Sequence, residues 1–380
     1  MFIAIFVAAL AFVIMFHEFG HFATAKAFGM KAERFFLGFG PTLWSFRRGE
    51  TEYGVKVIPA GGFVKIAGMS RFEDSDAVDD DGRLFYQQAA WKRVIVLVAG
   101  SATHFVLAFV LLFAGLAFIG LPTGQLTPEI SSVLPDSPAD EAGLQAGDVI
   151  VALDGEPIGE WEAARADIQE RAGETVAVTV SRDGGERVLQ VELAGRTPDG
   201  VRQGYLGVVP SEAVRDFTVA QAFQETLIGD LSIVRVTGAT VQALTEALSP
   251  DSLAAFFGQV GSDQPRSIED SGIASLVGAG QAVNTFGSSG NILAVLLMLA
   301  SLNIVFGVLN MLPLPPLDGG HVAVLLVEES VNGVRRLRGE RERWYLDPAV
   351  ITPVALAVIA FFAVVGLTAI YVDITNPIFQ

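Results

Sequence analysis

The sequence has no cysteine among its 380 residues, which excludes disulfide bonds, thiol nucleophiles and thiolate metal ligands. Charged residues make up only 18% of the chain and hydrophobic residues 51%, and the mean hydropathy is +0.47. This composition is too apolar for an ordinary soluble enzyme and indicates a membrane protein. The formal net charge of −17 argues against nucleic acid as a partner, because phosphate binding needs a basic surface.

Long apolar runs are present where charge is scarce, and each is long enough to span a bilayer. The four runs are residues 1–29, 94–119, 292–312 and 350–370. A cleavable signal peptide is the alternative for the first run. That run lacks a basic start and a small-x-small cleavage site, so we expect it to stay as a membrane span.

The charges between these runs predict the orientation. Residues 26–93 contain 11 Lys and Arg, whereas residues 121–290 contain 9 Lys and Arg against 25 Asp and Glu. Basic residues near the spans favour the cytoplasmic side. We therefore expect the N-terminus, the 121–290 segment and the C-terminus to be extracytoplasmic, and the acidic stretch 73–81 to be a solvated cytoplasmic linker.

The strongest chemical signal is His-Glu-Phe-Gly-His at residues 17–21. Two histidines four residues apart lie one turn apart on a helix, so His17 and His21 can bind one metal ion. Glu18 is placed to act as general base on a metal-activated water. An accidental polar cluster is the alternative. Two histidines and a glutamate are costly in an apolar span unless they are paired or bind metal, so the metal site is favoured.

A third ligand is needed for a zinc site, and Asp318 is the best candidate. The first and third runs are predicted to cross in the same direction, which brings Asp318 to the same membrane depth as His17 and His21. Prolines before Asp318 end the helix, and Gly319 and Gly320 allow a tight turn. His321 is a rival third ligand.

His104 lies inside the second apolar run. It either faces the site, where it binds substrate or the transition-state oxyanion, or it satisfies a polar group on a neighbouring helix.

These motifs resemble those of the site-2 protease family of intramembrane zinc metalloproteases, most closely the bacterial regulator-of-sigma-E type. The resemblance rests on residues 17–21, on the Asn-x-x-Pro-x-Pro-x-Leu-Asp-Gly-Gly pattern at 310–320, and on the segments 38–41, 59–65 and 91–93. It implies that His17, His21 and Asp318 bind Zn²⁺, that Glu18 is the base and that Asn310 lines the substrate cleft. One departure occurs at Gly100-Ser101-Ala102-Thr103-His104-Phe105, where the family usually has Gly-Pro-x-x-Asn-Phe.

The resemblance also implies an architecture. We expect a polytopic α-helical membrane protein of about four transmembrane helices, with a membrane-associated β-hairpin and an extracytoplasmic α+β PDZ domain. The expected domains are residues 1–120 with the first two spans and the hairpin, 121–210 as the PDZ domain, 211–290 as amphipathic gating helices, and 291–380 with the last two spans.

Residues 42–58 have the pattern of a β-hairpin, because Tyr53, Val55 and Val57 alternate with polar residues and glycine. An edge strand beside the metal could pair with an unwound substrate helix. A plain cytoplasmic hairpin is the alternative.

In the 121–210 segment, Tyr205, Leu206, Gly207 and Val208 resemble the carboxylate-binding loop of a circularly permuted PDZ domain. Such a domain either binds peptide C-termini or excludes large substrates from the cleft.

The expected function is cleavage of transmembrane segments of single-pass proteins, such as anti-sigma factors, in the cytoplasmic membrane of a bacterium. Two alternatives are a PDZ-containing scaffold without proteolytic activity and a membrane protease that acts on surface-exposed substrates. The scaffold predicts no metal and a dispensable Glu18, and the surface protease usually needs a third motif that carries glutamate.

Overall fold

The computed structural model describes residues 1–69, 82–197, 201–262, 273–340 and 342–378. Two compact units divide the chain. The helical unit comprises Met1–Gly115 and Val219–Gln380, and the sheet unit comprises Leu116–Thr218. The acidic stretch 73–81 lies outside the described residues.

The helical unit begins with a long helix, continues through a two-strand sheet, and ends in a series of helices. Its elements are α1 (Phe2–Ala27), β1 (Ala32–Arg48), β2 (Thr51–Ile66), the 3₁₀ turn Phe85–Gln87, α2 (Ala90–Phe118), α5 (Val219–Ile228), α6 (Ile233–Ala247), α7 (Pro250–Gly258), α8 (Leu276–Ser288), α9 (Ile292–Asn310), α10 (Asp318–Leu337) and α11 (Pro348–Thr375). The last few residues of α2 enter the sheet unit.

Several helices are apolar and long enough to cross a membrane, as the composition predicts. Within the described residues five stretches qualify, and four of them match the predicted spans: Phe2–Ala27, Ala90–Phe118, Ile292–Asn310 and Ala349–Thr375. The fifth, Val219–Ala247, is interrupted between α5 and α6. At 1.5 Å per residue, α5 and α6 are about 15 and 22 Å long, whereas the apolar core of a bilayer is about 30 Å thick.

Helices α1 and α2 approach closely because glycines lie at their contact. A Cβ at Gly20 would lie 2.4 Å from the Ala99 carbonyl oxygen, and a Cβ at Gly100 would lie 2.1 Å from His21 Nε2. Further along α2, Ala108 and Leu112 pack with Ala300 and Ile304 of α9. Glycine and alanine at these positions therefore bring α2 close to both α1 and α9.

Helices α5 and α6 pack beside α2 and α9. The Phe223 ring of α5 lies 5.6 Å from the Phe109 ring of α2, and Ile233 and Val236 of α6 pack against the α2–α9 cluster. The sequence predicts amphipathic gating helices within residues 211–290. In the structure, their apolar sides lie along the apolar helices.

Strands β1 and β2 form a sheet that is more folded than a single hairpin. The sequence predicts a hairpin over residues 42–58; the structure has a turn at Gly49 and Glu50 within that range, but β2 extends to Ile66. Phe35 pairs with both Tyr53 and Val64. The first part of β1 therefore lies between the two halves of β2.

This pairing corrects the prediction that Tyr53 and Val55 belong to an edge strand. Tyr53 pairs with Phe35 and Phe46, and Val55 pairs with Leu37 and Trp44, so both have strand neighbours on two sides. A period-two pattern indicates a strand but does not reveal how many neighbours the strand has. The half of β2 that runs along α1 is Gly62–Ile66 instead.

The sheet unit has its own hydrophobic core. Its elements are β3 (Leu121–Val133), α3 (Pro138–Glu141), β4 (Val149–Leu153), β5 (Glu156–Pro157), α4 (Trp161–Glu170), β6 (Thr175–Arg182), β7 (Gly185–Glu192), β8 (Ala194–Arg196), β9 (Gln203–Tyr205) and β10 (Val208–Arg215). The main sheet has the order β10-β3-β4-β6-β7, with β5 beside β4, and β8 pairs with β9. Val176, Val178 and Val180 alternate toward a core that also contains Trp161 and Ile168 of α4.

Candidate metal centre

Three side chains from two distant segments meet in the helical unit. His17 and His21 lie one turn apart on α1, and Asp318 is the first residue of α10. The Nε2 atoms of His17 and His21 are 3.2 Å apart. Asp318 Oδ2 lies 3.4 Å from His17 Nε2 and 3.5 Å from His21 Nε2. Among the described residues, this is the one group of three or more His, Asp or Glu residues with the spacing of a metal site.

The distances fit a tetrahedral zinc ion. Zinc binds nitrogen and oxygen at about 2.0–2.2 Å, so two ligand atoms of a tetrahedral site lie roughly 3.3–3.6 Å apart. The three observed separations, 3.2, 3.4 and 3.5 Å, form a triangle of that size. Three protein ligands leave a fourth position for water or substrate, which is the arrangement of catalytic zinc sites.

The protonation pattern also suits a cation. His21 Nδ1 lies 2.7 Å from the Val96 carbonyl oxygen. A carbonyl only accepts, so Nδ1 carries the proton and the neutral ring has its Nε2 lone pair toward the triangle. A metal ion binds the ionised form of a carboxyl group, and Asp318 Oδ2 lies within 3.5 Å of both imidazole Nε2 atoms.

The turn before α10 positions Asp318. A Cβ at Gly319 would lie 2.2 Å from the Met311 carbonyl oxygen, and a Cβ at Gly320 would lie 2.4 Å from the Pro315 backbone nitrogen. Only glycine fits at these two positions, as the sequence predicts for a tight turn. His321, the rival third ligand, is exposed and lies outside the triangle.

Glu18 lies beside the triangle and contacts the sheet. Its Oε2 accepts a hydrogen bond of 3.0 Å from the backbone N–H of Val64. A Cβ at Gly62 would lie 3.2 Å from Glu18 Cγ. The second half of β2 therefore runs directly along the part of α1 that carries Glu18.

His104 faces both the triangle and a neighbouring helix. Its ring centroid is 5.1 Å from that of His17, and its Nδ1 lies 3.2 Å from Asn303 Oδ1 on α9. Asn303 Nδ2 donates to the Leu299 carbonyl oxygen at 2.8 Å, so its Oδ1 must accept from His104 Nδ1. Neutral His104 therefore has its lone pair on Nε2. It satisfies a polar group on a neighbouring helix, as the second alternative predicts, and lies beside His17, while its contact with substrate stays a prediction.

The other predicted residues lie on α9, on β2 and in the sheet unit. Asn310 ends α9 and is half-buried. The Tyr53 ring is 5.8 Å from the Phe22 ring of α1; Val57 is 49% exposed. In the sheet unit, Leu206 is buried, and its carbonyl oxygen accepts from the Ala139 N–H.

The rest of that loop precedes an edge strand. Gly207 has φ +90°, which favours glycine, and its carbonyl oxygen accepts from the Leu134 N–H. Val208 begins β10, which lies at the edge of the sheet.

Sequence reasoning missed two polar residues of this centre. Ser101 Oγ donates to Asp318 Oδ2 at 3.1 Å, and Asn303 orients His104. The i, i+3 spacing of Ser101 and His104 in an apolar helix was an available signal, because it places both on one face.

Comparisons with known proteins agree with this chemistry. Residues 5–346 match the family described as Peptidase family M50. The zinc metalloprotease Rip1 of Mycobacterium tuberculosis (strain ATCC 25618 / H37Rv) is 34% identical over 99% of this chain and 98% of its own length. Rip1 of Mycolicibacterium smegmatis is 34% identical over the same shares.

Two solved structures match smaller parts of the chain. A solution structure from Geobacillus thermodenitrificans is 37% identical, covers 20% of this chain and 85% of its own, and has a TM-score of 0.17. The PDZ domain of an SdrC-like protein from Listeria monocytogenes is 20% identical, covers 24% and 93%, and has a TM-score of 0.20.

Proposed function

The chain belongs to peptidase family M50, and from this premise we propose that its active centre consists of His17, His21 and Asp318 as zinc ligands and Glu18 as general base. The protein is a zinc-dependent intramembrane metalloprotease of the site-2 protease kind. The observation that carries the assignment is the triangle of donor atoms, whose edges of 3.2–3.5 Å match tetrahedral zinc. A scaffold without catalytic activity offers no reason for this convergence.

The chain's own residues prepare the site for hydrolysis. Zinc, when bound, supplies Lewis-acid chemistry that lowers the pKa of water and polarises a peptide carbonyl. Glu18 accepts the proton from the attacking water and passes it to the leaving amine. The Val64 N–H holds the Glu18 carboxylate beside the triangle. Neutral His104, with its lone pair on Nε2, accepts a hydrogen bond from a substrate N–H rather than donating one to an oxyanion.

We propose that the substrate pairs with the sheet near α1. Site-2 proteases act on membrane proteins, and a peptide bond inside a helix must first be unwound. The Gly62–Ile66 half of β2 supports this role, because it contacts Glu18 and its register partners lie on β1 alone. Strand addition there would present an extended backbone to the metal. In this arrangement Tyr53, Val55 and Val57 do not pair with substrate and instead belong to the part of the sheet that supports the pairing strand. Asn310, at the end of α9, lines the cleft.

The proposed topology has four spans. Helices α1, α2, α9 and α11 cross the membrane, and α5 and α6 do not, since each is too short. The N-terminus, the C-terminus and the sheet unit are extracytoplasmic, and the metal centre lies toward the cytoplasmic side of a bacterial cell membrane. The short distances from Asp318, which follows α9, to His17 and His21 of α1 support this arrangement, because they bring the residues after α9 to the depth of the two histidines.

We propose that the sheet unit is a PDZ domain that binds peptide C-termini. Two features support this: the Tyr205–Val208 loop, with Gly207 at positive φ, and the edge position of β10, which leaves room for an added strand. A labelled peptide with a free C-terminal carboxylate should bind the full chain, whereas the same peptide with an amidated C-terminus should bind at least tenfold more weakly. Equal binding, or none, would favour the role of a size filter.

The proposed substrates are single-pass membrane proteins already shortened outside the membrane, such as anti-sigma factors in regulated intramembrane proteolysis. The lipid bilayer is the medium of the reaction.

Cleavage by purified protein tests the catalytic assignment. With a single-pass model substrate in proteoliposomes, the Glu18→Gln variant should cleave about 10²–10⁴-fold more slowly than wild type, because it lacks the base. Metal analysis should show the same zinc content in both proteins. Equal cleavage rates would refute the role of Glu18, and absence of zinc from wild type would refute the ligand set.

A further inference from the structure

One segment of α2 contacts two of the three proposed ligands. The Val96 carbonyl accepts from His21 Nδ1 at 2.7 Å. Gly100 leaves room for the His21 ring, and Ser101 Oγ donates to Asp318 Oδ2 at 3.1 Å. Val96 and Gly100 lie one turn apart, and Ser101 follows Gly100, so all three contacts come from less than two turns of the helix. Helix α2 therefore supplies a shell of contacts behind the proposed ligands.

The bond from Ser101 is not the usual one for a serine in a helix. Serine and threonine hydroxyls in helices commonly bond to a carbonyl oxygen one turn earlier. Thr103, two residues away, does this with the Gly100 carbonyl at 2.6 Å. Ser101 is fully buried, yet its hydroxyl reaches an aspartate 217 residues away in the sequence.

The oxygen that Ser101 contacts is the one that completes the triangle. Asp318 Oδ2 is the atom within 3.5 Å of both imidazoles. A carboxylate oxygen has two lone pairs, so it can accept the Ser101 hydrogen bond and still bind a metal ion. The hydrogen bond fixes the rotation of the carboxylate and with it the direction of the second lone pair.

A second contact between α2 and α10 holds the two helices together without Ser101. Arg93, near the start of α2, is buried and forms an ion pair of 2.6 Å with Glu329 of α10. That pair lies eleven residues beyond Asp318, about 16 Å along the helix. Because it holds α10 against α2 independently, loss of the Ser101 hydroxyl should disturb the carboxylate and leave the helix in place.

We propose that Ser101 is a positioning residue that orients the Asp318 carboxylate for zinc binding. The proposal rests on the proposed ligand set. In the resembled family pattern, position 101 is proline, which has no hydroxyl, so this chain orients its aspartate by a bond of its own. Partners that orient metal ligands typically affect metal affinity by 10–100-fold when they are removed.

The test compares Ser101→Ala with Thr103→Val in the full-length protein. Both substitutions remove one hydroxyl from the same helix, and only the first removes a contact with Asp318. Zinc affinity, measured by competition with a chelator, should fall about tenfold or more in Ser101→Ala and stay within twofold of wild type in Thr103→Val. The visible spectrum of the Co²⁺-loaded protein should change in Ser101→Ala alone, since it reports ligand geometry. Wild-type affinity and spectrum in Ser101→Ala would overturn the proposal.

Two further measurements keep the result unambiguous. Any general loss of stability in Ser101→Ala is removed by comparing the rise in Tm on zinc addition, which reports binding to the folded state; an increment equal to that of wild type would count against the proposal. Asp318→Asn serves as the reference for the ligand set. If Asp318→Asn binds zinc normally, the proposed function itself fails. If Asp318→Asn loses zinc and Ser101→Ala does not, only the role of Ser101 is rejected.

Discussion

Two shielded carboxylates, one in each unit, are treated in opposite ways by their surroundings. Asp148 of the sheet unit is fully buried and receives two hydrogen bonds from Arg182, at 2.6 and 2.7 Å, and one from the Gln145 N–H. Asp318 of the helical unit is 16% exposed and faces two imidazoles and a serine hydroxyl.

The first carboxylate is neutralised by a cation from its own chain. The second lies at a corner of three converging ligand atoms and, on the proposed ligand set, binds a cation from outside the chain. A buried or half-buried carboxylate therefore indicates a functional site when its neighbouring ligand atoms converge on one position that an ion could occupy. An arginine that saturates the carboxylate marks a structural role.

The largest effects on zinc binding and on stability are expected when the Asp318 and Asp148 carboxylates are each replaced by a neutral amide. Asp318→Asn should abolish zinc retention and reduce cleavage by more than about 10³-fold, because a neutral amide is a poor ligand for zinc. Hydrogen exchange in the sheet unit should not change.

Asp148→Asn should do the reverse and destabilise the sheet unit by about 3 kcal/mol, since it leaves the Arg182 charge without its partner. Amides of β4 and β6 should then exchange faster in the intact protein, with normal zinc content. If Asp148→Asn instead released zinc, the distinction between the two carboxylates would be wrong.

Lowering the pH should have a smaller effect, a loss of the stability that Asp148 contributes to the sheet unit. Burial raises the pKa of Asp148, but the bonds from Arg182 and Gln145 outweigh it and lower the pKa below its usual value. A lowered folded-state pKa gives stability that is complete above the unfolded value, about 3.9, and is lost as pH falls through the folded value.

Hydrogen-exchange protection in β6 should accordingly be flat from pH 7 to about 4 and then decline, once intrinsic exchange rates are corrected. Asp148→Asn provides the control, because it should lack this component of the decline. An identical acid profile in both proteins would contradict the assignment.

The smallest effect is expected at a half-buried carboxylate whose two basic partners are exposed. Glu50, at the turn between β1 and β2, accepts bonds from Arg83 at 2.8 Å and Lys26 at 2.5 Å. These bonds lower its pKa to about 2. Since solvent screens exposed ion pairs, Glu50→Gln should cost less than about 1 kcal/mol and leave cleavage within twofold of wild type. A larger loss in thermal unfolding would show that this turn contributes more than its exposure suggests.

The proposed ligands were predictable from sequence, and their supports were not. The spacing of His17 and His21 encodes a shared helix face, Pro315, Gly319 and Gly320 mark a turn, and the predicted directions of the first and third apolar runs bring Asp318 to the depth of the histidines. The partners of Ser101 and Asn303 lie about 200 residues away in the sequence, and a single sequence contains no record of such pairings.

The error in the sheet has a related cause. The alternation at Tyr53 and Val55 correctly indicates a strand, but the number of its neighbours depends on the path of β1 and of residues up to Ile66. The break between α5 and α6 is likewise set by a few residues, although the whole stretch Val219–Ala247 is apolar on average. Local patterns therefore predict which helices and strands form better than they predict which elements pack beside one another.

The place of Asp318 along the chain has a consequence for biosynthesis. A ribosome makes the polypeptide from its N-terminus, so His17, Glu18 and His21 enter the membrane long before residue 318 of 380 is translated. On the proposed ligand set, the unfinished chain has two of three ligands and cannot hold its zinc ion firmly. A truncated product that ends within the sheet unit is inert for the same reason. On this ligand set, the protease becomes active only after residue 318 has been translated and has folded against α1.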